Sequence, residues 1–166
     1  MQSLREILNN DVLSSQTQKK IGQIKEAIID PHFGKIIVFE LNTFLKKPFL
    51  VLRNIVDLKE TEVILSKEEN LLDESDLPKI LEIKKNKIKV LGARVYTKDN
   101  EYLGKVSDLI FDELNGEILR YYISRPFFKS PLKAYLILGK DDIIKIEKRG
   151  IIVRDLEELE TAKAIA

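Results

Sequence analysis

Residues 103–118 read LGKVSDLIFDELNGEI, and residues 21–36 read IGQIKEAIIDPHFGKI. The two stretches share a glycine at the second position, an aspartate at the tenth, a glycine at the fourteenth and apolar residues between them. Their spacing is a constant 82 residues. Self-similarity at a fixed spacing indicates a repeated structural unit. The sequence therefore predicts two similar modules rather than one larger domain.

Two further blocks extend the repeat. Residues 44–49 resemble residues 127–132 at a spacing of 83, and the apolar pairs of residues 56–65 resemble those of residues 144–153 at a spacing of 88. A spacing that grows only between blocks is the pattern that loop insertions produce. We expect a first module over residues 1–72, a linker over 73–87, a second module over 88–156 and a helix or tail over 157–166.

Each module has the pattern of a small antiparallel sheet. After the second glycine of the motif, apolar and polar residues alternate, as in a half-buried strand. The segments Asp30–Gly34 and Asp112–Gly116 have turn chemistry, because aspartate can bond nearby amides and glycine tolerates positive φ. Gly22 and Gly104 open the preceding strand, where glycine marks close backbone approach. Five short strands per module favour a barrel, in which closure hides the sheet edges.

The connector and the C-terminal end have helical patterns. Ser75 or Asp76 can cap a short helix that has Pro78 in its first turn. A second helix is expected from Asp155, with acidic residues in its first turn. The predicted fold class is therefore mainly β, with two tandem small antiparallel β-barrels, a short helical linker and a C-terminal helix.

Composition limits the function. The chain of 166 residues has 28 Lys plus Arg, 27 Asp plus Glu, one histidine and no cysteine. Lack of cysteine excludes disulfides and thiolate chemistry, and the near-zero net charge disfavours non-specific nucleic-acid binding. No apolar run reaches the ~18 residues of a membrane span. We expect a cytoplasmic protein without catalytic, metal or cofactor-binding residues, in which His32 is an exposed turn residue.

Residues 95–123 resemble the PRC-barrel domain, which occurs in the H subunit of photosynthetic reaction centres and in a ribosome maturation factor. The first module resembles it more weakly. The pattern is typical of a scaffold, so the resemblance implies a non-enzymatic adaptor that holds another macromolecule. Two alternatives are a ribosome maturation or RNA-protein assembly factor and a peripheral subunit on a membrane-bound complex. The residues name neither the partner nor the oligomeric state.

The best candidate for partner binding is the loop of the second block, which places aromatic and basic residues together. Such residues are typical anchors of protein interfaces. The candidates are Phe44, Lys46, Phe49, Arg125, Phe127, Phe128 and Lys129. The alternative is that these side chains fill the barrels or seal them together. The lysines of residues 84–89 could contact RNA phosphate, but a solvated linker explains them better.

Overall fold

The computed structural model describes residues 1–155 and 157–159. The first half contains six strands: β2 (Asp11–Ser14), β3 (Lys20–Asp30), β4 (Lys35–Asn42), β5 (Phe49–Val51), β6 (Ile55–Leu58) and β7 (Glu62–Leu65). The second contains β8 (Arg94–Thr97), β9 (Tyr102–Phe111), β10 (Ile118–Ser124), β11 (Tyr135–Gly139), β12 (Ile143–Glu147) and β13 (Gly150–Val153). Before them lie β1 (Gln2–Ser3) and helix α1 (Leu4–Ile7), and helix α2 (Pro78–Lys85) lies between the halves. Four 3₁₀ turns complete the set: Leu52–Asn54, Glu68–Asn70, Glu74–Asp76 and Lys140–Asp142.

The two halves have the same strand order. The first sheet runs β5-β4-β3-β2-β7-β6, and the second runs β11-β10-β9-β8-β13-β12, with β1 added through β9. In each sheet one pair is parallel, β2 with β7 and β8 with β13. The fold is therefore mainly β, with two sheets of equivalent topology.

Three details of the predicted barrels are wrong. The sheets are not purely antiparallel, because the last hairpin of each half returns to pair in parallel with its first strand. Each sheet has six strands of its own rather than five. Hydrogen bonds do not close either sheet: β5 and β6 end the first one and are joined through the 3₁₀ turn Leu52–Asn54, as β11 and β12 are through Lys140–Asp142.

The turn after the long strand is built in the same way in both halves. The Asp30 carboxylate accepts the amide of His32 at 2.9 Å, and the Asp112 carboxylate accepts the amide of Leu114 at 2.8 Å. Gly34 and Gly116 close these turns at φ 59° and 77°, a conformation that glycine adopts without strain.

The glycines that open β3 and β9 also have matching surroundings. A Cβ on Gly22 would lie 2.6 Å from the Asn42 carbonyl oxygen, and one on Gly104 would collide with the carbonyl of Ser124. Asn42 and Ser124 are 82 residues apart, as are the two glycines. Each glycine therefore lets its strand cross closely over the end of the next strand.

A corner before each sheet is a further shared feature. Asn9 and Gly92 both adopt positive φ, at 68° and 80°. The amide of Asn9 donates to the Ile24 carbonyl at 2.8 Å, and the amide of Gly92 donates to the Val106 carbonyl at 2.9 Å. The chain thus enters both sheets through the same bend.

The turns of the two halves bind each other reciprocally. The amide of Ile36 donates to the Gly116 carbonyl at 2.8 Å, and the amide of Ile118 donates to the Gly34 carbonyl at 3.0 Å. Each bond is the counterpart of the other at the repeat spacing, so the contact has the form of a two-fold interface within one chain.

One hydrophobic core spans both halves. Its fully buried members come from both sheets and from α1, among them Ile7, Phe39, Leu50, Phe111 and Tyr121. The rings of Phe39 and Phe111 meet across the halves at 6.2 Å. Burial raises the pKa of Tyr121 to about 12. The two modules that the sequence separates therefore share their interior.

Helix α2 covers the outer face of the first sheet. Ile80 and Ile83 pack with Ile28, Val38 and Phe49 in a second apolar cluster. Pro78 occupies the first turn, where its missing amide is tolerated. The predicted cap differs, because Ser75 and Asp76 belong to the preceding 3₁₀ turn, which Asp73 caps, while Leu77 precedes α2.

The predicted C-terminal helix lies mostly outside the described residues. Residues 157–159 are helical, the amide of Leu159 donates to the Asp155 carbonyl at 2.9 Å, and Leu159 is buried. Among the residues that the structure describes, none forms a helix long and apolar enough to cross a bilayer.

We predict that Gly116→Ala destabilises the protein far more than Gly92→Ala. Both glycines have positive φ, but a Cβ at Gly116 would lie 2.5 Å from the Ile36 carbonyl oxygen, whereas a Cβ at Gly92 would meet nothing within 4 Å. We expect roughly 2–4 kcal/mol for Gly116→Ala and about 1 kcal/mol for Gly92→Ala in urea unfolding. Equal losses would contradict the reciprocal turn contact.

Candidate protein-binding site

The first predicted loop divides between surface and core. Phe44 is fully exposed, at 109% of the reference area, and Lys46 is exposed as well. Phe49 is fully buried beneath α2, so its assignment to a partner-binding surface is corrected. The apolar outer face of the first sheet needs this ring as part of its packing against the helix.

The strand register explains the correction. Phe49 pairs with Glu40 in the first sheet, and Ile137 pairs with Tyr122 in the second. Glu40 and Tyr122 are equivalent, so the structural counterpart of Phe49 is Ile137. The counterpart suggested by sequence, Leu132, lies in a loop at 92% exposed. The loop between β10 and β11 is longer than the loop between β4 and β5. After Phe44, the residues that match in sequence are therefore no longer the residues at equivalent positions in the structure.

Arg125 organises the second loop. Its Nε donates to the Leu103 carbonyl at 2.8 Å, and its guanidinium lies over the ring of Phe128 at 4.2 Å and near that of Phe127 at 5.8 Å. Burial lowers the pKa of Arg125, but a guanidinium keeps its charge at neutral pH. In the first half, the Thr43 hydroxyl donates to the Ile21 carbonyl at 2.6 Å from the equivalent place.

Four aromatic rings form a continuous surface row, here called the aromatic ladder: Tyr96, Tyr102, Phe127 and Phe128. Successive centroids are 5.5, 5.7 and 4.9 Å apart, within the range of favourable ring contacts. The guanidinium of Arg149 lies 5.3 Å from the Tyr96 ring, so an arginine stands at each end. Tyr102 is 40% exposed and Phe127 is 52% exposed.

The first half lacks the ladder. Leu13 pairs with Lys20 where Tyr96 pairs with Tyr102 in the second sheet. Phe44 therefore projects into solvent without the tyrosine neighbour that Phe127 has. Both predicted loop lysines are exposed, but Lys129 follows the ladder residue Phe128, whereas Lys46 lies near the isolated ring of Phe44. The structure gathers Arg125, Phe127 and Phe128, and the first loop makes its contacts within its own half.

Sequence reasoning missed Tyr96, Tyr102 and Arg149. The signal available was the alternation of β8, in which Val95 is buried and Tyr96 faces outward. A tyrosine on each side of a tight turn, in register across a hairpin, places two rings on one face. The position of the loop relative to that hairpin depends on tertiary packing.

A second exposed apolar area lies on the outer face of the second sheet. Tyr135 is 66% exposed and Ile137 is 47% exposed on the same side of β11. The equivalent face of the first sheet is covered by α2. The two outer faces differ because helix α2 follows the first half and packs on its sheet.

His32 lies in the exposed turn that Asp30 caps. Its ring meets Phe33 edge to face at 4.6 Å. Within residues 1–155 and 157–159, no three His, Asp or Glu side chains are gathered as metal ligands.

Two buried carboxylates hold α2 to the first sheet. Asp30 binds the Lys79 ammonium, and Glu40 accepts from Lys25 at 2.9 Å and from Lys84 at 3.0 Å. Burial raises the pKa of Glu40, but the hydrogen bonds from Lys25 and Lys84 outweigh it, so the net shift is downward. Burial also raises the pKa of Asp30, but the hydrogen bonds from Lys79 and from the turn amides outweigh it, so the net shift is downward.

These features define a mainly β protein in which aromatic rings and arginines form a surface row on the second sheet. A family model for the PRC-barrel domain matches residues 89–160. The second half of the chain is therefore a PRC-barrel domain. No curated protein matches the chain.

We predict opposite outcomes for two phenylalanines of the first loop. Phe49→Ala should lower the free energy of unfolding by roughly 3–5 kcal/mol, because it empties a buried site. Phe44→Ala should change it by less than about 0.5 kcal/mol, because that ring is exposed. Chemical unfolding of both variants measures the difference, and a large loss for Phe44→Ala would show that the ring is packed.

A pH dependence follows from Glu40. A carboxyl with a lowered pKa in the folded state stabilises above its ordinary pKa of 4.5, and the contribution is lost as the pH falls through the lowered value. We expect Glu40→Gln to cost roughly 1.5–3 kcal/mol at pH 7. The difference between variant and wild type should shrink on acidification, as followed by urea unfolding at pH 7 and pH 3. A constant difference would contradict the ion-pair account.

Proposed function

We propose that the chain is a non-enzymatic adaptor made of two PRC-barrel-like units, which binds another protein through the aromatic ladder. The duplication is supported by the equal strand orders and by the matched turn bonds of Asp30 and Asp112. The N-terminal half is then a diverged copy of the unit that the family model matches in the second half.

The observation that carries the binding proposal is the ladder itself. Aromatic rings and arginine are the residues most enriched at the centres of protein interfaces. Here the rings are held in a row before any partner arrives, so little side-chain freedom is lost on binding. Arg125 is fixed by the Leu103 carbonyl and by the Phe128 ring.

The linker lysines form ion pairs with carboxylates, which favours a protein partner over RNA. Lys84 is bound to Glu40 and Glu74, and Lys89 lies 3.6 Å from Glu26. Phosphate would have to displace these carboxylates. Nucleic-acid bases also stack on aromatic rings, so the experiment discriminates between a protein partner and the role of an RNA-protein assembly factor.

The test compares the ladder pair Phe127 and Phe128 with the exposed ring of Phe44. Tagged wild-type protein, Phe127→Ser/Phe128→Ser and Phe44→Ser are used for affinity capture from extracts of the native host, with and without ribonuclease. We expect a protein that the wild type and Phe44→Ser retain and that the ladder variant loses, independently of ribonuclease. Phe44→Ser is the matched control because Phe44 occupies the position equivalent to Phe127.

Circular dichroism melting of the ladder variant accompanies the capture. Unchanged capture by a folded ladder variant would contradict the proposed surface. Capture that disappears with ribonuclease and falls steeply with salt would favour the RNA-protein assembly factor instead.

A further inference from the structure

In the second sheet, the N-terminal arm occupies an open edge of the long strand. Strand β1 pairs antiparallel with β9, with Gln2 opposite Phe111 and Ser3 opposite Ile110. The Asp108 carboxylate anchors this arm, accepting the Ser3 hydroxyl at 2.6 Å and the Arg5 amide at 2.9 Å. Strand β8 is short and pairs only with the start of β9, and β1 pairs with the same edge of β9 near its end.

The equivalent edge of β3 lies at Ile28 and Ile29, 82 residues before Ile110 and Phe111. In the described part of the chain, β3 pairs only with β2 and β4, and β2 pairs with it no further than Gln23. The chain segment that precedes the second sheet forms α2 and lies on the outer face. Because this segment is helical, it does not pair with β3 in the way that β1 pairs with β9.

A cleft of about 550 Å³ follows this edge. One wall is Lys25–Ile29 of β3, the other is the segment Lys87–Leu91 after α2, and Leu4 and Leu8 of the arm close one side. The wall of β3 is five consecutive residues, so the cleft runs along a strand rather than across it. An added strand along such an edge is an established mode of peptide recognition.

The charges around the cleft favour an acidic occupant. Lys25, Lys84, Lys87 and Lys89 line it, and Glu26, the counterpart of Asp108, is the acidic residue among its lining. Glu40 neutralises part of this charge from beneath, through Lys25 and Lys84. Lys89 lies 3.6 Å from Glu26, and Lys87 is exposed at the rim, so the excess of positive charge remains at Lys87.

We propose that this cleft binds an extended acidic segment of another protein, which adds antiparallel to β3 as β1 adds to β9. The backbone edge supplies hydrogen bonds, the aliphatic walls receive alternate side chains, and the lysines select carboxylates. The site lies between β3 and the segment Lys87–Leu91 and uses none of the ladder residues, so it is independent of the proposed function.

The experiment uses three fluorescent peptides with the full chain. The first is Glu-Val-Glu-Val-Glu-Val with blocked ends, the second carries lysine in place of glutamate, and the third is the acidic peptide with alternate amides N-methylated. We expect the acidic peptide to bind and to slow hydrogen exchange at whichever of the Ile28 and Ile29 amides faces the open edge, because the amides of successive strand residues point to opposite sides. N-methylation should weaken it at least about tenfold, because strand hydrogen bonds are lost while charge is kept.

Variants of the protein separate the cleft from general charge. Lys87→Glu with Lys89→Glu should abolish binding, whereas Lys133→Glu with Lys148→Glu, which makes the same change at exposed positions of the second half, should not. Equal binding of the N-methylated or basic peptide would overturn the proposal. Binding without protection of either Ile28 or Ile29, or a wild-type dimer that itself fills the edge in sedimentation, would overturn it too.

Discussion

The architecture depends on two hydrogen bonds that join the hairpin turns of the halves. Ile36 reaches the Gly116 carbonyl and Ile118 reaches the Gly34 carbonyl, so each turn completes the edge of the other. Both glycines take positive φ, and a Cβ on Gly116 would lie 2.5 Å from the Ile36 carbonyl oxygen, so Gly116 must lack a side chain for the backbones to come this close. The approach also brings Phe39 against Phe111, from which the shared core extends. A change in either turn therefore acts on both sheets.

Sequence reasoning captured the features that depend on local backbone chemistry and missed those that depend on contacts between distant segments. The turn residues Asp30 and Asp112 and the crossing glycines Gly22 and Gly104 depend on local backbone chemistry, which the repeat spacing makes visible. The parallel pairs and the open ends of the sheets depend on where distant strands meet. Phe49 was misplaced because whether an outward-facing ring is exposed depends on α2, and a strand pattern does not reveal what covers its outer face.

The candidate sites arise from departures from symmetry on a symmetric scaffold. Arg125 and Thr43 bind equivalent carbonyls, yet only the arginine reaches the neighbouring rings. Tyr96 and Tyr102 replace Leu13 and Lys20, which turns a plain hairpin surface into the start of the ladder. The sequence could predict the loop half of this site, because Arg125, Phe127 and Phe128 are adjacent. Its strand half required the relative placement of two elements.

The bends at Asn9 and Gly92 separate each sheet from the chain that leads into it. Positive φ and an equivalent amide–carbonyl bond recur at both bends, so both sheets begin in the same way although different segments precede them. The lead-in segments differ: one is a strand with a short helix, and the other is a longer helix on a different face. A bend of this kind lets two sheets of equal topology carry distinct surfaces without any change in their interiors.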